Sequence, residues 1–316
     1  MGGATIDGQV LFGINNIYAV AADGGERQCR IKGKVLRGEE ERYNPIAVGD
    51  FVELEPDPID PGAGWIVGRR PRVSSFVRWN KKRRAIQVLS ANADQLVCVT
   101  STLAPPFRPR FLDRLLVSAR SGNLEAIIVL NKCDLGLEED TRARIEAYRA
   151  AGYPVVECSA LSGQGLERLE PLLEGKLSVF AGQSGVGKSS LLNRLDPALK
   201  LAVGELSTKY DRGVHTTSFA RLIRLSGGYA VVDTPGVREF EVARIRPEEL
   251  WGYFPEFVEP AGRCAYSVCR HRDEPGCAVR QAAESGRIHS DRYESYLRIY
   301  EGLEEFYRDF YGPARA

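Results

Sequence analysis

The segment 182–189 has the residue types and the spacing of a phosphate-binding loop. Its sequence, GQSGVGKS, fits the pattern G-x-x-x-x-G-K-S/T, follows the apolar run 177–181 and precedes a helical pattern over 190–195. Glycines let consecutive backbone N–H groups turn towards phosphate oxygens, and the start of the following helix adds partial positive charge. We therefore predict nucleotide binding, with Lys188 at the β- and γ-phosphates, where it contributes to catalysis, and Ser189 on Mg²⁺. The predicted contact residues are Gly182, Gln183, Ser184, Gly185, Val186, Gly187, Lys188, Ser189 and Ser190. The alternative is a glycine-rich turn without a ligand.

A second acidic element, Asp233-Thr234-Pro235-Gly236, follows the apolar run 229–232. A carboxylate at the carboxyl end of a buried strand is suited to hold Mg²⁺ or one of its water ligands. The N–H of Gly236 would then face the γ-phosphate. An ordinary exit from a strand into a Pro-Gly turn is the alternative interpretation.

The sequence Asn131-Lys132-Cys133-Asp134 follows the strand-like run 125–130 and predicts the base that is bound. An aspartate at a strand end accepts two hydrogen bonds from guanine, and adenine cannot supply them. This disfavours the alternative of an ATP-specific protein. We expect Asn131 to bridge neighbouring loops and the Lys132 side chain to stack on the base. Ser159-Ala160 follows the next strand, where a backbone N–H can reach the guanine oxygen.

These motifs occur in an unusual order along the chain. In a typical GTPase the phosphate loop comes first, and the N-K-x-D and S-A motifs come last. Here the motifs at 131–134 and 159–160 precede the loop at 182–189. A circular permutation gives this order without altering the sheet. It requires little structural change where the chain termini of a domain lie close together.

A Cys/His cluster near the C-terminus predicts a metal site. Three cysteines and one histidine fall within fourteen residues, namely Cys264, Cys269, His271 and Cys277. This ligand set is typical of a closed, structural zinc site. A disulfide or a redox switch is the alternative, and a reducing compartment would disfavour the disulfide.

The chain has three regions with different residue patterns, and each pattern predicts the elements that position these residues. Residues 1–72 carry short apolar runs between turn residues, which indicates a small β-barrel of the oligonucleotide/oligosaccharide-binding (OB) or the SH3-like type. Residues 73–245 alternate buried strands with helices, the pattern of a three-layer α/β domain. Residues 246–316 are mostly helical, and their C-terminal aromatic stripe predicts packing against a neighbouring domain.

Composition excludes several classes of protein. The chain has 316 residues, a hydrophobic fraction of 43% and a net charge of +1, so wholesale disorder is excluded and any attraction to nucleic acid must be local. No apolar run approaches the roughly 20 residues that span a bilayer, and the N-terminus lacks a secretory signal pattern. Seven cysteines, an odd number, argue against an extracellular disulfide framework. We expect a cytoplasmic protein and a monomer.

The segment 69–84 holds eight basic residues and no acidic one, with Phe76 and Trp79 among them. Such a segment beside a barrel predicts a contact with the RNA backbone. The alternative is a solvated hinge between the barrel and the α/β domain.

Taken together, the permuted order, the sequence 212–217 (RGVHTT), the barrel and the Cys/His cluster resemble the ribosome small-subunit-dependent GTPase A (RsgA) family. The resemblance covers essentially the whole chain. It implies an OB barrel, a circularly permuted GTPase domain and a C-terminal zinc domain. It also implies GTP hydrolysis stimulated by the small (30S) ribosomal subunit and its 16S rRNA, late in the maturation of that subunit. A nucleotide-gated RNA-binding module in which hydrolysis is incidental remains the alternative.

The resemblance also points to a switch segment and a catalytic histidine. Thr216 or Thr217 corresponds to the switch threonine that ligates Mg²⁺. Val237 stands where other GTPases place a glutamine that orients water, and an apolar side chain cannot do this. The switch histidine, His215, is the predicted replacement. The alternatives are that the threonines only begin the next strand and that His215 is an ordinary loop residue.

Overall fold

The first five strands close into a barrel. The computed structural model describes residues 5–33, 36, 44–201, 220–234 and 240–311. The barrel strands are β1 (Ile6–Ile14), β2 (Ile17–Ala22), β3 (Gly25–Ile31), β4 (Phe51–Pro56) and β5 (Ala63–Arg69), in the order β1-β2-β3-β5-β4. Strand β1 pairs antiparallel with β2 and β4, while β3 runs parallel to β5. Alternate side chains, among them Val10, Val20 and Leu54, fill the interior. This arrangement confirms the predicted OB-type barrel.

The α/β domain is built on a six-stranded sheet. Its strands are β8 (Gln95–Ser101), β9 (Glu125–Asn131), β10 (Val155–Glu157), β11 (Leu177–Gly182), β12 (Arg221–Arg224) and β13 (Ala230–Asp233). The order is β10-β9-β8-β11-β13-β12, and every neighbouring pair is parallel except β12 with β13. The helices are α1 (Pro109–Ser121), α2 (Glu139–Ala150), α3 (Leu166–Leu173) and α4 (Lys188–Leu195). Side chains of α1 and α2 share one apolar core with the sheet, and those of α3 and α4 share another. The predicted three-layer architecture is therefore confirmed.

A hairpin of β6 (Ser75–Asn80) and β7 (Ala85–Ala91) joins the barrel to this sheet. Its side chains change the interpretation of the basic segment 69–84. Phe76 and Trp79 are only 1% and 5% exposed, so neither is available to stack on a base. Arg72 donates two 2.7 Å hydrogen bonds to the buried carboxylate of Asp50. Much of the segment therefore serves as a structural joint, and its exposed cations are Arg70, which pairs with Asp7, and the four residues of the turn 81–84.

The C-terminal helices pack on the α/β domain. They are a 3-10 helix (Pro247–Tyr253), α5 (Pro255–Ala261), α6 (Ala278–Glu284) and α7 (Ser290–Tyr311). Tyr300 and Leu303 of α7 are buried in a core that also receives Val117 of α1. The aromatic stripe thus packs against neighbouring elements, as predicted. Among the described residues, no helix combines the length and apolarity that a transmembrane segment needs.

A buried charge cluster joins α7 to the α/β domain. The guanidinium of Arg292, 3% exposed, pairs with the fully buried carboxylate of Asp113 in α1. Arg292 Nε also donates to Glu256 of α5 at 2.6 Å. The Tyr148 hydroxyl donates to Asp113 at 2.7 Å, and the Tyr148 ring lies under the guanidinium. The opposite charges of Arg292 and Asp113 thus pair with each other away from water.

Arg292→Met is expected to lower the free energy of unfolding by about 3–5 kcal/mol, because it leaves the Asp113 carboxylate buried without its partner. Denaturant unfolding monitored by circular dichroism measures the change. Arg298→Met is the matched control, since Arg298 lies on the same helix with half of its side chain exposed. Equal losses in the two variants would contradict the prediction.

Candidate nucleotide-binding site

The predicted nucleotide-binding motifs meet at one edge of the sheet. Strands β9, β10, β11 and β13 are parallel, so their carboxyl ends lie side by side. The N-K-x-D motif follows β9, the S-A motif follows β10 and the phosphate-binding loop follows β11. Asp233 ends β13 beside Phe180 of β11. The carboxyl edge of a parallel sheet is where open α/β folds bind ligands.

The phosphate-binding loop has the backbone that its sequence predicts. Gly185 and Gly187 have φ of +83° and +96°, in a region that favours glycine. A Cβ at Gly187 would also collide with the side-chain amide of Asn131. Helix α4 begins at Lys188, so its N-terminal N–H groups border the loop.

Lys188 lies inside this loop and is 8% exposed. Its Nζ donates to the carbonyl oxygens of Gly182 at 3.0 Å and of Gln183 at 3.1 Å. Burial lowers the pKa of Lys188 to about 8, although the nearby Asp233 carboxylate opposes the shift. Burial likewise raises the pKa of Asp233, with Lys188 opposing. The ammonium is therefore poorly solvated and is suited to meet an anion.

GTP affinity is expected to fall as the pH rises through about 8, which is the pKa of Lys188 in the nucleotide-free protein. A bound triphosphate stabilises the ammonium and raises its pKa, so binding takes up a proton above this pH. The loss of GTP affinity approaches roughly tenfold per pH unit once Lys188 of the nucleotide-free protein is neutral. Calorimetry up to about pH 9, in buffers of different ionisation enthalpy, measures both affinity and proton uptake. A flat affinity would contradict the prediction.

Asn131 bridges two of the loops. Its Nδ2 donates to the Val186 oxygen at 2.9 Å, and its Oδ1 accepts from the Ala160 N–H at 3.0 Å. Lys132 Nζ adds a 2.7 Å hydrogen bond to the Gly185 oxygen. The same residues thus connect the phosphate-binding loop with the loop after β10.

Asp134 lies exposed in a short 3-10 helix, Cys133–Leu135, beside these loops. The buried Ser159 donates its hydroxyl to the Asp134 carboxylate and so orients it. An exposed, oriented carboxylate at this edge can accept the two donors on the guanine edge. Asp134 and the Ser159-Ala160 backbone are close enough to face one base together.

Thr102, which the sequence analysis missed, positions this motif. It is buried just after β8, and its hydroxyl donates to the Lys132 oxygen at 2.9 Å. Its N–H donates to the Asn131 oxygen at 3.2 Å. Because β8 ends at the same edge as β9, the run Thr100-Ser101-Thr102 at its end was the available signal.

Several predicted residues lie outside the part of the chain that the structure describes. They are His215, Thr216, Thr217 and Gly236. Of the neighbouring D-x-x-G residues, Thr234 is described, and its hydroxyl donates to the Phe180 oxygen at 2.6 Å. This bond holds the exit of β13 beside β11.

The four predicted metal ligands converge. The ligand atoms of Cys264, Cys269, His271 and Cys277 all lie within 4.8 Å of one another. His271 Nδ1 is 3.5 Å from Cys264 Sγ and 3.6 Å from Cys277 Sγ. Metal–ligand bonds of about 2.0–2.3 Å would span such a cluster. The geometry is therefore compatible with one tetrahedral metal ion.

Comparison with known proteins gives the family. The family model described as RsgA GTPase matches residues 69–243, and the RsgA N-terminal domain model matches residues 7–66. The chain belongs to the RsgA GTPase family. A relative from Chlorobaculum parvum, named small ribosomal subunit biogenesis GTPase RsgA, is 42% identical over 95% of this chain and 99% of its own length. The family predicted from the sequence is therefore confirmed.

Two solved structures of similar proteins support the assignment. YjeQ from Thermotoga maritima aligns with a TM-score of 0.74 and 36% identity, over 95% of this chain and 99% of that protein. YloQ, described as a circularly permuted GTPase, aligns with a TM-score of 0.68 and 30% identity, over 96% of each chain. The barrel, the GTPase sheet and the C-terminal helices of this RsgA-family chain thus have counterparts of known structure.

Proposed function

We propose that this chain hydrolyses GTP during the biogenesis of the small ribosomal subunit, in the cytoplasm. The observation that carries the proposal is the meeting of the phosphate-binding loop, Asp233 and Asp134 at one edge of the sheet. RsgA relatives that bear the biogenesis name align over nearly the whole chain. The substrate is therefore assigned as a guanine nucleotide, and the partner as the 30S subunit with its 16S rRNA.

Within this function, Lys188 and the α4 N-terminus bind the phosphates. Lys188 exchanges its two carbonyl partners for phosphate oxygens when GTP enters. The Ser189 hydroxyl and the Asp233 carboxylate are hard oxygen donors and fit Mg²⁺. When bound, Mg²⁺ would neutralise charge that develops on the phosphates. Thr216 or Thr217 would complete the set, and the Gly236 N–H would contact the γ-phosphate.

His215 is the group that we assign to orienting the attacking water. His215→Ala should lower kcat by at least about 10²-fold, the scale of a lost general acid–base group, while GTP affinity is nearly unchanged. His215→Gln should retain more activity, because an amide can still accept a hydrogen bond from water. Single-turnover kinetics and nucleotide titration separate the two effects. An unaltered kcat in the alanine variant would remove His215 from the mechanism.

We assign the metal at the cysteine cluster as a single structural zinc ion. Three thiols and an imidazole form a closed tetrahedral set, which leaves no open position for a substrate. Two of the thiols are buried next to α6, and the Arg280 N–H donates to Cys277 Sγ at 3.4 Å. Zinc would thus fix the start of α6.

Subunit-stimulated turnover tests the function. GTP hydrolysis by the monomeric chain is measured with and without purified 30S subunits. We expect stimulation by roughly 10³-fold or more, as groups supplied by a partner can give. The exposed cations of the turn 81–84 support an RNA contact, so stimulation should weaken steeply as salt rises. Turnover that is equal with and without subunits would refute the proposal.

A further inference from the structure

A cavity of about 390 Å³ lies beside the phosphate-binding loop. It is lined by the start of α1, by Arg144 of α2, by Asp291 at the start of α7 and by Phe240 and Glu241. Gln183 of the phosphate-binding loop forms part of its wall. None of the described residues assigned to the base or to a metal ion lines it. The cavity is thus separate from the base site and the cysteine cluster.

Four arginines line this cavity, and two of them lack a counter-ion within the described residues. Arg144 pairs with Asp291 and with Asp140, and Arg110 pairs with Glu294 at 2.7 Å. Neither Arg108 nor Arg114 forms an ion pair or a side-chain hydrogen bond anywhere in the described ranges. Among the described residues of the wall, the only carboxylates are Glu241 and Asp291. The two unpaired guanidinium groups make this an anion-attracting cavity.

The start of α1 adds to this charge. The helix is 13 residues long, its first turn holds no acidic residue, and Arg108 at its N-cap forms no side-chain capping bond. An uncapped helix N-terminus carries partial positive charge and favours an anion. The backbone and the side chains therefore favour the same ligand charge.

Gln183 supplies an independent indication of a ligand. Its side chain is 8% exposed and borders the cavity, yet its amide has no hydrogen-bond partner among the described residues. A polar ligand in the cavity would give this amide the partner that it lacks among the described residues. A carboxamide can donate to a phosphate oxygen or accept from a ribose hydroxyl.

We propose that this cavity binds a phosphate ester of the size of one nucleotide. Phe107 and Phe111 are half-buried in its wall and supply apolar surface for a base or a ribose. The phosphate would face Arg108 and Arg114. The ester comes either from an RNA strand or from a free phosphate compound. Because Gln183 belongs to the phosphate-binding loop, the occupant also contacts the GTP site, and binding at the two sites is expected to be coupled.

Calorimetric titration of the full chain saturated with Mg²⁺ and GDP tests this inference. The probes are uridine 5′-monophosphate and a uridine trinucleotide. We expect Arg114→Gln to weaken binding of the active probe by roughly tenfold or more, the scale of a hydrogen bond to a charged group. Arg142→Gln is the matched control, because this exposed arginine of α2 lies outside the cavity, and it should change the Kd less than about twofold.

Each outcome decides the proposal. Arg114-dependent binding of the trinucleotide but not of the monophosphate assigns RNA as the source, and Arg114-dependent binding of the monophosphate assigns a free phosphate ester. No binding of either probe, or equal losses in the Arg114 and Arg142 variants, overturns the proposal. If Arg114→Gln does not fold, the same calorimetric titration is carried out with Arg108→Gln. GDP affinity is measured for every variant, so a failed cavity is distinguished from a failed nucleotide site.

Discussion

Asp134→Asn is expected to lower the affinity for GTP by roughly 10⁴-fold, because a site built to pair with guanine donors loses its acceptors. In the proposed site, the Asp134 carboxylate would accept from both N–H groups of the guanine edge. An asparagine amide presents one acceptor and one donor, so one guanine N–H group is left facing a donor. The variant therefore loses affinity for guanine, while the phosphate-binding loop stays intact.

The same change should transfer preference to xanthosine triphosphate. Xanthine carries a carbonyl where guanine carries its exocyclic amine, and the asparagine N–H can donate to that oxygen. Competition of GTP, xanthosine triphosphate and ATP against a labelled nucleotide measures the switch. Asp140→Asn is the control, since Asp140 is an exposed carboxylate of α2 outside the site. If Asp134→Asn keeps GTP affinity, the base is not read at this residue.

Removal of the metal from the cysteine cluster is expected to unfold the segment around it. Structural zinc contributes roughly 10–16 kcal/mol of apparent binding free energy in comparable sites, and this energy is folding energy. The loop between α5 and α6 exposes apolar side chains such as Tyr266 and Val268, so little burial would hold it otherwise. Cys269→Ser should act in the same direction as a chelator.

Trp251 reports this unfolding directly. Its ring centroid lies 6.0 Å from that of His271, so its fluorescence should change when the cluster opens. Elemental analysis before chelation should give one zinc per chain. Cys133→Ser is the control, because Cys133 is a half-buried cysteine outside the cluster. Unchanged melting and no stoichiometric metal in protein prepared under reducing conditions would refute the assignment.

The nucleotide and metal motifs were predictable because each is local. The pattern at 182–189 specifies its own backbone, as the positive φ of Gly185 and Gly187 shows. The four predicted metal ligands fall within fourteen residues, so short loops alone bring them together. The alternation of buried strands and helices was sufficient to place 131–134, 159–160 and 233 at one edge, because parallel strands all end there.

Other features depend on residues that are distant in the chain, and local patterns do not encode them. The basic segment 69–84 has the composition of an RNA contact, but tertiary packing buries Phe76 and Trp79 and commits Arg72 to Asp50. The residues next to Asp113 in the sequence do not indicate that Arg292 neutralises its charge.

The sequence by itself therefore determined the nucleotide motifs, their permuted order and the predicted metal ligands, since spacing acts over a few residues, and these motifs carried the resemblance to the family. Only the tertiary structure decided which charged side chains are paired and which face an open cavity. A charged side chain pairs with a group that lies close to it in the folded chain. Burying a charge without such a partner costs much free energy, so the packing of the helices decides the pairing. That Arg108 and Arg114 have no counter-ion among the described residues became visible only once the helices were packed.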